Sequence, residues 1–125
     1  MSEKNRYYDL DVWKESRKLT NQIYNLTKSF PEEEKFGLIS QIRRCSVSIP
    51  SNIAEGCGRQ TPKDTTRFLY IAKGSLYELE TQVLLSFDQN YISDKDVSEV
   101  SKQIIVCKKL LNGFINYYKQ LTTNN

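Results

Sequence analysis

A proline in the middle of an otherwise helical run constrains this chain more than any other feature. The segment FGLISQIRRCSVSIPSNIAEGCG, Phe36 to Gly58, sets Phe36, Ile39, Ile42, Ser46, Ile49 and Ile53 at steps of three and four. That is the spacing of one buried helix face. Pro50 falls inside the run. A proline there donates no backbone hydrogen bond and crowds the carbonyl four residues back, that of Ser46, a defect of about 3 kcal/mol in an ordinary helix. A kink is expected between Ser46 and Pro50, with Gly56 as a C-terminal cap. Asn52 and Ser46 are candidates to stabilise the backbone groups that Pro50 frees.

Helical periodicity covers almost all of the remaining chain. Val12, Ser16, Leu19, Ile23, Leu26 and Phe30 alternate four- and three-residue steps, and Trp13 and Thr20 widen the stripe. Phe30-Pro31 ends this helix, because the residue before proline avoids the α region. Pro31 then opens the second helix, with Glu32, Glu33 and Glu34 at its positive end. After the linker GCGRQ, Thr61-Pro62-Lys63-Asp64 offers a cap, a proline at the first position and a first-turn acid. The third helix follows through Thr65, Leu69, Ala72, Leu76, Leu79 and Val83. Ser93-Asp94-Lys95-Asp96 repeats the start signal before Val97, Val100, Ile104, Cys107, Leu111, Phe114, Tyr118 and Leu121.

Four amphipathic helices with short connections predict an all-α, antiparallel up-down-up-down four-helix bundle, residues 1–125 forming a single domain. Apolar residues also lie off the main seams: Leu38, Phe68, Ile71, Leu84, Leu85, Ile105, Leu110, Ile115 and Tyr117. This extra flank suggests that each bundle packs against others as a homo-oligomer; a somewhat wide core in a monomer is the alternative.

Composition narrows the chemistry. No histidine occurs among the 125 residues, which removes the commonest general acid–base and the commonest zinc ligand. Glu78 and Glu80 point to different helix faces, so no di-metal carboxylate pattern is expected. No catalytic residue, metal or cofactor is predicted, and the chain does not read as an enzyme. Of three cysteines, Cys45 and Cys107 fall on core faces, whereas Cys57 sits between two glycines in an expected loop and is a candidate reactive thiol. No apolar run reaches the ~18 residues of a membrane span, and MSEKNRYYDLD lacks the apolar stretch of a signal peptide. A cytoplasmic protein with no membrane association is expected.

The net charge of +3 hides a strong asymmetry. Residues 35–77 carry a balance of +5, residues 78–101 a balance of −5, and residues 102–125 a balance of +4. Such polarity steers a polyanion or orders subunits in a ring, and a solvated surface of mixed sign accounts for it equally.

Several tracts together carry a family resemblance. They are Trp13, Ile23-Tyr24, Phe30-Pro31 and Glu34, then QIRRCSVSIPSNIAEGCGR, then RFLYIAKGSLYELETQ. SIPSNIAEG followed by Arg59, with IAKGSLYELE downstream, is specific in combination. The sequence resembles the four-helix-bundle proteins of the 23S rRNA intervening-sequence family over nearly its whole length, the fourth helix matching only in pattern. The resemblance implies an up-and-down bundle assembled as a homopentameric ring. It also implies kinship with the accessory protein of diversity-generating retroelements, a basic pentamer that partners a reverse transcriptase and nucleic acid.

Two readings compete for the polar motif residues. Gln41, Arg44, Ser48, Asn52 and Glu55 advance along one drifting stripe of the second helix, with Ser75 and Glu78 one turn apart on the third. As a polar network or subunit interface, Arg44 would pair with Glu55 or Glu78 and Asn52 would bridge. The other reading takes Arg43, Arg59, Lys63, Arg67 and Lys73, with Arg44, as a basic surface around the second loop. Such a surface gives salt-sensitive affinity for phosphates, to which Tyr70 and Tyr77 would add stacking. The expected function is a non-enzymatic scaffold or adaptor, its ring facing RNA, DNA or a nucleic-acid enzyme; the alternative is a protein–protein interaction module. Convergence of Arg43, Arg59, Lys63 and Arg67 on one exposed face is the discriminating observation.

Overall fold

The computed structural model describes residues 6–123; the first five residues, read above for a leader, lie outside them. Four helices follow a short 3-10 turn at Tyr7–Asp9: α1 (Asp11–Thr27), α2 (Leu38–Cys57), α3 (Pro62–Asp88) and α4 (Asp94–Thr123). No strand occurs among the described residues. Each helix packs on its neighbours in the order α1, α2, α3, α4 and back to α1. Leu19 and Ile23, Ile42, Ile49 and Ile53, Leu69, Leu76 and Leu79, and Ile104 and Leu111 fill the shared core with almost no exposure. Each such side chain contributes about 1.5–3 kcal/mol on burial.

The two start signals read from sequence are both present. Thr61 Oγ1 accepts from the Asp64 amide at 3.1 Å, with Pro62 at the first helical position. Ser93 and Asp96 exchange side-chain-to-amide bonds of 3.1 Å each at the start of α4. The start of α2 differs. Glu32–Glu34 form a separate 3-10 turn and the helix proper begins at Leu38, after Gly37. Phe36 therefore leaves the core seam and stands 90% exposed. Off the seams, Phe68 and Ile115 prove to be core residues, whereas Ile71, Leu84, Leu85, Ile105 and Tyr117 face outward.

Glu34 still serves α2, by another route. Its Oε1 accepts from the Leu38 amide at 3.1 Å and its Oε2 accepts from the Tyr91 hydroxyl at 2.8 Å. The Tyr91 bond, then the amide, hold the carboxylate below its ordinary value of 4.5. A depressed carboxylate stabilises the fold above its unfolded value, and the contribution disappears as pH falls through the folded one. Glu34→Gln is expected to be less stable at pH 7 and to lose less stability between about pH 5 and pH 3. Melting temperature against pH checks this, and Tyr91→Phe should reproduce most of the flattening.

Pro50 does not break α2, which runs through it as one helix. The Ser46 carbonyl, deprived of its ordinary donor, accepts instead from Thr20 Oγ1 on α1 at 2.9 Å. Asn52 and Ser46 do not fill that role. Asn52 Nδ2 donates to the Ser48 carbonyl at 2.8 Å, and Ser46 Oγ donates to the Arg43 carbonyl at 2.8 Å.

Gly56 lies inside α2 rather than capping it, with Gly58 following the last helical residue. A Cβ at Gly56 would stand 3.2 Å from the Thr65 carbonyl oxygen and 3.3 Å from Phe68 Cβ. Thr65 Oγ1 donates to the Gly56 carbonyl at 2.7 Å, fixing α2 against α3 at this point. Gly74, by contrast, has nothing within 4 Å of its missing Cβ. Alanine should therefore act with opposite sign at the two sites. Gly56→Ala meets an overpacking cost of roughly 1–3 kcal/mol that exceeds alanine's helix advantage, for a net loss of about 1 kcal/mol. Gly74→Ala keeps that advantage and gains about 1 kcal/mol. Urea denaturation of both variants checks the pair.

Candidate functional site

The short connection from α2 to α3 and the first turns of α3 gather three cations at an open concavity of about 820 Å³. Arg59 comes from the connection, and Lys63, Arg67 and Tyr70 come from one stripe of α3. Steps of four and three keep that stripe on a single helix face. Asp64 sits between the arginines, 2.9 Å from Arg67 Nη2 and 3.8 Å from Arg59 Nε. Arg59 Nη2 also approaches Glu55 Oε2 at 3.3 Å. Beneath them the buried Phe68 ring carries both guanidinium groups, 4.3 Å from Arg59 and 4.8 Å from Arg67. These ion pairs are solvent-exposed, so each is worth at most about 1 kcal/mol and a phosphate can displace it. Lys63 has no ion-pair partner among the described residues.

The remaining cations proposed for this surface lie elsewhere. Arg43 turns toward α1: its Nε donates to Thr27 Oγ1 at 2.8 Å and its guanidinium lies 4.7 Å from the Tyr24 ring centre. It is a packing residue of the α1–α2 seam. Lys73, half-buried one turn beyond Tyr70, does not line the concavity. The face expected of four cations is thus made by Arg59, Lys63 and Arg67.

A second opening, of about 500 Å³, separates α2 from α3. Gln41, Arg44, Ser48, Ser75 and Glu78 line it, with Phe36 at its edge. Ser48 Oγ donates to the Cys45 carbonyl at 2.6 Å and stands 2.7 Å from Ser75 Oγ. A hydroxyl has one proton, so Ser75 is the donor in that pair. The Cys45 thiol donates to the Ser75 carbonyl at 3.1 Å. Arg44 is exposed, and among the described residues no ion pair joins it to Glu55 or Glu78. Glu55 pairs with Arg59, Glu78 accepts from Gln82 Nε2 at 3.3 Å, and Asn52 bonds within its own helix. The expected Arg44-centred network is therefore not formed within one chain: long side chains at the opening remain hydrated while the short serines pair.

The cysteines are poor nucleophiles. Burial, then the nearby Glu78 carboxylate, pushes Cys45 up to about 12, and burial pushes Cys107 up to about 11. Cys57 is the last residue of α2 rather than a loop residue; it packs against the core and burial raises it too. A reactive thiolate is the wrong reading for it. No group of three or more histidine, cysteine or acidic side chains suited to a metal ion occurs among the described residues. No helix among them is long and apolar enough to cross a membrane.

Thr20 and Phe68 are the working residues that the sequence reading passed over. Thr20 falls on the same side of α1 as the apolar stripe, and only the position of the partner helix identifies its acceptor. Phe68 stood among the spare apolar residues, although its spacing from Arg67 and Asp64 puts all three on adjoining helix faces.

The description of the family whose model matches residues 8–113 is 23S rRNA-intervening sequence protein. A crystal structure from Bacteroides thetaiotaomicron VPI-5482, of a protein with unknown function from the S23 ribosomal protein family, is similar to this chain at 28% identity and a TM-score of 0.77. The similarity covers 83% of this chain and 97% of that one. No curated protein matches.

Proposed function

Because this chain belongs to the 23S rRNA-intervening sequence protein family, we propose that it is a non-enzymatic, homo-oligomeric scaffold whose basic concavities hold nucleic acid. The observation that carries this reading is the grouping of Arg59, Lys63 and Arg67 on one open surface, with Asp64 as the lone acid of its lining. The fold beneath it reads as an antiparallel up-down-up-down bundle. Thr20 meets Ser46 and Thr27 meets Arg43, so contacts step in opposite directions along α1 and α2. Ser75 meets Ser48 and Thr65 meets Gly56, which repeats the relation for α2 and α3.

Assembly as a homopentameric ring in the cytoplasm completes the proposal. Outward-facing Phe36, Ile71, Leu84, Leu85 and Ile105 supply apolar contact area on several helices. Rotational repetition would turn a small positive balance per subunit into a continuous field around the ring, facing RNA, DNA or the enzyme that processes them. The same apolar side chains favour a second reading, in which the ring is a protein–protein interaction module alone.

A labelled structured RNA titrated with purified protein from about 50 to 200 mM salt separates the two readings, provided the mass of the protein is measured alongside. Affinity that falls steeply with salt, shown by an oligomer, is the expected result. Oligomeric protein without binding at low salt assigns the ring to protein partners. Monomeric protein removes the assembly.

A further inference from the structure

We infer that the concavity takes single-stranded rather than duplex nucleic acid, with Tyr70 as the platform on which a base stacks; this rests on the nucleic-acid reading above. The start of α3 leaves an anion little backbone to bind: Pro62 has no amide hydrogen, the Asp64 amide is bonded to Thr61 Oγ1 and the Thr65 amide to the Thr61 carbonyl, so Lys63 alone keeps an open amide in this stretch. Recognition therefore falls mainly to side chains, and these are of two kinds set next to one another.

Arg59 and Arg67 both lie over the Phe68 ring and are spaced by Asp64, so their charge is positioned before any ligand arrives. Asp64 and Glu55 engage Nε and Nη2 of these groups in exposed ion pairs, which leaves Nη1 of each arginine for phosphate oxygens. Tyr70 lines the same concavity, 45% exposed, one turn beyond Arg67. Unlike Tyr91 and Lys108-bound Tyr77, it makes no ring contact or side-chain hydrogen bond with another described residue. Lys63 to Tyr70 spans only about 10 Å of helix. A strand with free bases can lay its backbone on the cations and one base on the tyrosine ring within that length. A duplex offers phosphates at the same reach but keeps its bases stacked on each other, so it gains nothing from Tyr70.

Fluorescence anisotropy with a pyrimidine single strand and a mixed-sequence duplex of equal length tests this. The strand should bind more tightly than the duplex. Tyr70→Leu should weaken strand binding by roughly 5- to 100-fold, Tyr70→Phe should retain it, and neither should alter duplex binding. Oligomeric mass, measured on each variant, identifies any change that comes from assembly. Equal affinity for the two probes, or strand binding indifferent to Tyr70→Leu, overturns the single-strand assignment and leaves the nucleic-acid reading standing. Binding to neither probe at low salt overturns both.

Discussion

Thr20→Val should lower stability by about 1–3 kcal/mol in the natural sequence and by almost nothing in a Pro50→Ala background. Valine keeps the shape of threonine but cannot donate, so the buried Ser46 carbonyl loses the bond that replaces the missing Pro50 amide. Alanine at position 50 restores that amide, and the carbonyl regains its ordinary helical partner. The coupling between the two positions is thus expected to be nearly as large as the single-site effect, and urea denaturation of the four proteins in the cycle measures it. Equal losses in both backgrounds would mean that Thr20 acts through its own helix, where its hydroxyl also lies 3.1 Å from the Ser16 carbonyl.

In the assembly proposed above, Phe36→Ser should weaken association between copies by roughly 10- to 100-fold while leaving the melting of the individual bundle nearly unchanged. The side chain is 90% exposed, so its loss removes little from the fold. Burying a phenylalanine against a neighbour contributes about 1.5–3 kcal/mol, which sets the size of the effect. Its place at the edge of the α2–α3 opening also puts it beside Arg44 and Glu78, charges that a second subunit can complete. Sedimentation across a concentration series reads the change; an unchanged association constant would place Phe36 outside any contact between copies.

Much of this architecture was legible in the sequence. The periodic seams of Leu19 to Ile23, Ile42 to Ile53, Leu69 to Val83 and Val100 to Leu111 became the core because spacing alone dictates which face of a helix is buried. The caps at Thr61 and Ser93 were readable because their chemistry is local. What escaped depends on partners distant in sequence. Glu34 looked like first-turn charge, yet Tyr91 and Leu38 decide its position. Gly56 looked like a cap, yet the approach of Thr65 and Phe68 explains the missing side chain. Arg43 and Arg59 are both basic, but Thr27 and Tyr24 claim one while the other stays at the surface. Charge type can be read along the chain, whereas its availability is set by which helix lies opposite.

The most direct measurement is the salt dependence of RNA affinity for the natural protein beside the Arg59→Gln, Lys63→Gln, Arg67→Gln triple variant. If these side chains hold phosphates, the variant binds more weakly and its plot of log affinity against log salt flattens by about 2 units per occupied site. Identical affinity and slope in the two proteins would contradict the account, because the concavity would then contribute nothing to binding.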